Sequence, residues 1–155
     1  CASAYLMRLI AQWMMTHPAS VYGDLYERVM YNALFGAQSH DGKRQRYFSP
    51  FNQPGEWWTR EGYCCPNNFR RIIFEMPDSV FLRAADGFAV NLFAPATLKT
   101  KGLEVEMMTS YPDTGKVSLK VKSAKAGKMR VRIPLWSGCP SRMASFPTTL
   151  FWIRS

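Results

Sequence analysis

Two adjacent cysteines, Cys64-Cys65, followed at once by Pro66-Asn67-Asn68, are the residues of this chain best suited to chemistry. A disulfide between chain neighbours strains the peptide that joins them. Two neighbouring thiolates can instead point at one metal ion, or one can act as a nucleophile while the other holds a metal. Pro66 is expected as the first residue of a helix, where its missing N–H is no loss. A helix N-terminus favours anions and lowers a thiol pKa. Cys1 stands at the start of another predicted helix, so Cys1, Cys64 and Cys65 can meet in a helical array. The residues alone leave two readings open: a shared metal site, or buried free thiols packing as small hydrophobes. The spacing of Cys1, Cys64, Cys65 and Cys139 is neither a regular disulfide framework nor the C-x-x-C pairing of a zinc ribbon. A metal-bound thiolate is deprotonated outright. Zinc also withdraws electron density, so attack needs a sulfur that loosens from the metal.

The elements around these residues change character along the chain. Leu6, Leu9, Ile10 and Trp13 recur at helical spacing and predict a helix over 2–16, ended by His17-Pro18. Tyr22, Leu25, Tyr26, Val29 and Ala33 predict a second helix over 20–35, with Gly36 as its stop and Glu27 at the edge of the stripe. Residues 37–63 read as a long excursion with a turn at Asp41-Gly42 and a short strand from Arg44 to Phe48. It carries Tyr47, Phe48, Phe51, Trp57, Trp58 and Tyr63. Aromatic faces of this kind pack on the C–H surface of a sugar ring, or cap a core. A third helix is predicted over 66–75. From about residue 79 the pattern turns to period two, with strands expected near 88–92, 103–110, 116–122 and 129–134, an antiparallel β-domain. Residues 137–155 show no clean periodicity and are left unassigned.

The chain has 155 residues, 47% hydrophobic and 14% aromatic, enough for globular units with a real core. No apolar run is long enough to span a membrane. The chain begins without Met, in what reads as a helix, and is expected to be a piece of a longer protein. The net charge is +9, and nine of the 20 basic residues lie between Lys99 and Arg132, several alternating with apolar residues. That pattern reads as the solvated face of strands. Without an aromatic-basic recognition motif it gives no support to nucleic-acid binding.

Several segments, in order, resemble glycoside hydrolase family 127, the bacterial β-L-arabinofuranosidases. Cys64-Cys65-Pro66-Asn67-Asn68-Phe69-Arg70-Arg71 is similar to the family's C-C-P-x-N-x-x-R stretch. Cys1-Ala2-Ser3 resembles its E-T-C-A-[ST] segment, and Asp24 to Asn32 its D-x-x-E-R-x-x-Y-N helix. Asp41-Gly42 with Tyr47-Phe48-Ser49-Pro50 resembles its D-G…Y-x-x-P strand. Asp86 to Phe93 and Arg132 to Trp136 resemble parts of its β-domain. The likeness covers about residues 1–136.

The resemblance implies an α+β fragment: the C-terminal helices of an (α/α)6 barrel over 1–78, then antiparallel β-sandwich strands over 79–136. It implies a retaining hydrolase acting on β-L-arabinofuranosides or related plant glycans. Cys64 matches the nucleophile that forms a thioglycosyl intermediate. Cys1, Cys64 and Cys65 match sulfur ligands of zinc. Glu27 and Tyr47 match pocket residues that contact the sugar or orient the nucleophile. The fourth zinc ligand, a Glu two positions before Cys1, and the acid/base Glu would both lie outside these residues, so the chain alone is expected to be inactive. His17 and His40 match no pocket histidine and are expected on the surface or in loops. Asn67 stands where many members have a second Pro.

A non-enzymatic reading competes: a carbohydrate-binding or structural remnant, with the aromatic residues of 47–63 as platform and the cysteines as a structural zinc clip. Within the enzymes, a relative with another sugar specificity fits equally well, because the pocket walls that choose the sugar lie largely elsewhere.

Overall fold

Helix α1 (Ala2–Thr16) forms where the apolar spacing predicts it, in a computed structural model that describes residues 1–47, 52, 55–58, 63–123, 127–138, 143–147 and 152–154. Its buried face is not the expected one. Ala4, Met7, Ile10 and Met14 are buried, whereas Leu6, Leu9 and Trp13 are exposed. Apolar residues surround most of this helix, so spacings of three and four fit two overlapping stripes. The stripe with the smaller Ala4 and the adaptable methionines is the one that packs on the neighbouring helices.

Helix α2 (Ser20–Val29) continues into a π-helical turn, Met30–Leu34, and a 3-10 turn, Phe35–Ala37. The sequence reads a single helix over 20–35. The wider turn, closed by the Phe35 N–H on the Met30 carbonyl, slips the phase of the apolar stripe. Leu34 is buried in consequence, and Ala33, expected on the stripe, is exposed.

Asp41-Gly42 does form a turn. Gly42 has φ 70° and its N–H donates to the Ser39 carbonyl at 2.8 Å. Strands β1 (Gln45–Arg46) and β2 (Trp57–Trp58) then pair antiparallel, with Arg46 opposite Trp57. The Arg46 guanidinium lies 4.4 Å over the Trp57 ring. Phe48 and Phe51 of the expected aromatic platform lie outside the described residues, as does Cys139.

Helix α3 runs Cys64–Glu75 and begins at Cys64 rather than at Pro66. Pro66 still fits, because the N–H groups throughout a first helical turn lack intrahelical acceptors. Both cysteines therefore belong to that turn instead of preceding it.

The chain divides into two compact units, Cys1–Met76 and Pro77–Ser155. Among its described residues the second holds eight strands in two four-stranded sheets. One contains β3 (Phe81–Ala84), β4 (Gly87–Val90), β8 (Lys128–Arg132) and β9 (Met143–Pro147). The other contains β5 (Ala96–Thr100), β6 (Leu103–Thr109), β7 (Val117–Ser123) and β10 (Trp152–Arg154). Period-two burial is evident in Phe88 and Val90, Val105 and Met107, Leu119 and Val121, and Met129 and Val131.

Three points differ from the sequence reading. β4 and β8 pair parallel, because the chain passes through β5–β7 of the other sheet before returning. Periodicity sets which residues face inward and is silent on strand direction. The unassigned tail contributes β9, antiparallel to β8, and β10, antiparallel to β7. The basic residues are not all solvated: Arg132 is buried, its Nε donating to the Asn91 carbonyl at 2.7 Å.

Candidate active site

The first turn of α1 and the first turn of α3 bring three sulfurs together. Cys1 Sγ lies 3.4 Å from Cys65 Sγ, and Cys64 Sγ lies 4.0 Å from Cys65 Sγ. All three fall within 4.8 Å of one another. Four ligands about 2.3 Å from a tetrahedral zinc ion stand about 3.8 Å apart. The observed separations bracket that value, and three thiolates are the soft donors zinc and similar ions prefer. The donor set therefore fits such a metal.

The three cysteines differ in surroundings. Cys1 and Cys64 are exposed and Cys65 is partly buried. Cys64 has a further partner, the Tyr47 hydroxyl, at 3.8 Å. The hydrogen bond from Tyr47 holds the Cys64 thiol below its ordinary pKa, with a second contribution from Cys65, while partial desolvation opposes both. The same hydrogen bond and the nearby thiolate charge raise the Tyr47 phenol. Both shifts favour the arrangement in which the Tyr47 hydroxyl donates and the Cys64 sulfur accepts. Tyr47 is in turn packed edge-on against Tyr63, the residue that caps α3, with ring centroids 6.0 Å apart.

Glu27 lies on α2 and is 1% exposed. It is not a member of the sulfur cluster, which among the described residues contains the three cysteines alone. His17 and His40 are both exposed. One residue without an assigned role in the sequence reading joins the site. Asn68 is buried, and its Nδ2 donates to the Cys64 carbonyl at 2.8 Å and reaches Cys1 Sγ at 3.6 Å. Its place one helical turn after Cys64 is the signal that could have found it.

Three sulfurs gathered at two helix starts could hold a metal ion. Comparison with known proteins gives the family. Residues 1–78 match the β-L-arabinofuranosidase GH127 catalytic domain, and residues 87–147 match the GH127 middle domain. The chain belongs to the GH127 β-L-arabinofuranosidase family. The middle-domain match extends through residue 147, past the end of the likeness read from the motifs.

A non-reducing end β-L-arabinofuranosidase of Bifidobacterium longum is 25% identical over 161 aligned positions, which cover 88% of this chain and 24% of the relative. The chain thus spans about a quarter of the length of that curated relative. Among solved structures, a GH127 β-L-arabinofuranosidase from Geobacillus stearothermophilus T6 shares the fold, with TM-score 0.81 and 22% identity over 97% of this chain and 29% of that one. A second, a GH127 β-arabinofuranosidase, is 30% identical with TM-score 0.75, over 88% of this chain and 23% of that one.

Proposed function

We propose that this chain supplies the nucleophile and three metal-binding sulfurs of a retaining glycoside hydrolase acting at the non-reducing end of β-L-arabinofuranosides. The observation that carries this reading is the asymmetry of the cluster. Cys1 and Cys65 sulfurs face each other, whereas the exposed Cys64 sulfur has a partner of its own outside the cluster, the Tyr47 hydroxyl. A structural clip has no need of a hydroxyl donor directed at one of its three sulfurs.

Cys1, Cys64 and Cys65 would hold zinc, whose contribution when bound is to keep sulfur deprotonated at neutral pH. Cys64 Sγ attacks the anomeric carbon. The C–S bond forms as the glycosidic C–O bond breaks, and the leaving oxygen takes a proton from a carboxylic acid. Water then attacks the same carbon, the C–S bond breaks, and the carboxylate takes the proton from that water. Two displacements on one carbon retain its configuration. A thiolate here replaces one of the two carboxylates of the usual retaining pair. Tyr47 holds the Cys64 sulfur in place, and buried Glu27 is proposed to take a sugar hydroxyl or to orient the nucleophile. The proton donor is proposed, as the family resemblance implies, to be a Glu upstream of these residues. The three helices are proposed as part of an (α/α)6 barrel and the two sheets as part of a β-sandwich, with the boundary near residues 78–79.

Replacement of Cys64 by Ser in the protein expressed from its complete gene tests this reading. Hydrolysis of an aryl β-L-arabinofuranoside should fall by roughly 10⁴-fold or more, with the fold retained. Unchanged turnover would remove Cys64 as nucleophile and leave the cysteines as a structural clip.

A further inference from the structure

Asn68 is a polar side chain placed in the interior of a helix, 6% exposed, among apolar and sulfur groups. Its orientation is fixed by chemistry. The Cys64 carbonyl accepts only, so the group facing it at 2.8 Å must be the NH2. One N–H is used there, and the second is directed at Cys1 Sγ, 3.6 Å away. The opposite end of the amide, Oδ1, is buried with no hydrogen-bond partner among the described residues. A buried, unsatisfied acceptor opposes folding. It persists here on a side chain that joins the backbone of the first turn of α3 to the sulfur of Cys1.

We propose that Asn68 is the positioning residue of the sulfur site. A single planar amide links Cys1 on α1 to Cys64 on α3, fixing the Cys1 rotamer and the α3 first turn together. A thiolate that accepts an N–H is less hungry for a proton and is held in the direction a metal needs. Groups that orient metal ligands in this way typically govern affinity by about 10–100-fold. The proposal rests on the zinc reading above and adds a residue to it that touches neither substrate nor reacting carbon.

The test is zinc affinity of the reduced, metal-free protein expressed from its complete gene, measured by competition with a chromophoric chelator, together with the thiolate-to-metal absorption of the cobalt(II) form. Asn68→Leu keeps the volume and removes both donors. Asn68→Ser can still donate to the Cys64 carbonyl one turn back but is too short for Cys1 Sγ. Circular dichroism checks the fold, and if Asn68→Leu does not fold, Asn68→Ser decides. Both variants are expected to bind zinc about 10–100-fold more weakly than the parent and to show altered cobalt absorption. Parent-like affinity and spectrum in Asn68→Ser would overturn the proposal while leaving the zinc site intact. Failure of the parent protein to bind either metal would overturn the zinc reading and, with it, this role of Asn68.

Discussion

Arg8 and Glu75 form a two-point ion pair between α1 and α3, with Arg8 Nε 2.7 Å from Glu75 Oε2 and Arg8 Nη2 on Oε1. The same two helices meet at their N-termini through Cys1 and Cys65. Two separate points of contact, one near the cysteines and one further along both helices, require α1 and α3 to run in the same direction. The ion pair and the sulfur contact thus join the same two helices at different points along them.

Substitution of Arg8 by Met, which keeps the aliphatic stem, is expected to loosen the cluster. Zinc affinity of the chain should fall while helix content by circular dichroism holds. The hydrogen bond from Arg8 holds the Glu75 carboxyl below its ordinary pKa. The contribution of the pair is then complete above the unfolded value of about 4.3 and is lost as the pH falls through the lower folded value. Equal zinc affinity in Arg8→Met and the parent at neutral pH would show that the helix ends hold themselves.

Tyr47→Phe removes the donor to Cys64. The thiol should rise toward its ordinary pKa, because the hydrogen bond from Tyr47 is the largest cause of its lowering. In the metal-free chain, the pH profile of Cys64 alkylation, followed by peptide mass mapping, should shift upward. Cys1 and Cys65 serve as internal references. A profile that does not move would mean that Tyr47 lies near Cys64 without acting on it.

Much of the site was legible because cysteine is rare and its chemistry narrow. Cys1, Cys64 and Cys65 could be named as a group from residue type and helix starts, and the structure brings their sulfurs together. Asn68 could be placed in the C-C-P-x-N-x-x-R stretch but given no role, since nothing local shows what its amide meets. Its use appears only when Cys1 arrives from a distant segment. The same limit applies to packing. Nothing in the spacing of α1 chooses Met7 over Leu6 for the interior, and no local signal marks the π turn that buries Leu34 in place of Ala33. Strand existence was legible from period two in Phe88 to Leu92 and in β6–β8. The parallel pairing of β4 with β8 was not, because direction is decided by the path between strands.

That pairing offers a sharp test. Gly87 has φ 156°, and a Cβ placed on it would collide with the backbone of Lys128, its partner in β8. Backbone cannot swing aside as a flexible side chain can. Gly87→Ala is expected to destabilise the chain by at least about 1–3 kcal/mol, read as a lower urea midpoint. An unchanged midpoint would contradict the close approach of β4 and β8.

The same strand pair is tied by Asp86, which accepts from Arg130 at 2.6 and 2.8 Å and lies 3.4 Å from Lys128 Nζ. The Arg130 guanidinium holds the Asp86 carboxyl well below the usual carboxylate range. Its stabilising effect is full above the unfolded pKa, about 3.9, and disappears as the pH falls through the folded value. Asp86→Asn should therefore be less stable than the parent at pH 7, with the gap shrinking in acid and in high salt. A gap that is constant with pH would assign the effect to packing instead of charge.

The central claim is that Cys64 is the atom that bonds to the sugar. Its most direct test is peptide mass mapping of the protein, expressed from its complete gene, after rapid acid quench during turnover of an activated aryl β-L-arabinofuranoside. The account predicts one pentosyl group on the peptide that contains Cys64, absent in Cys64→Ser. A pentosyl group on a carboxylate, or full turnover by Cys64→Ser, would contradict it.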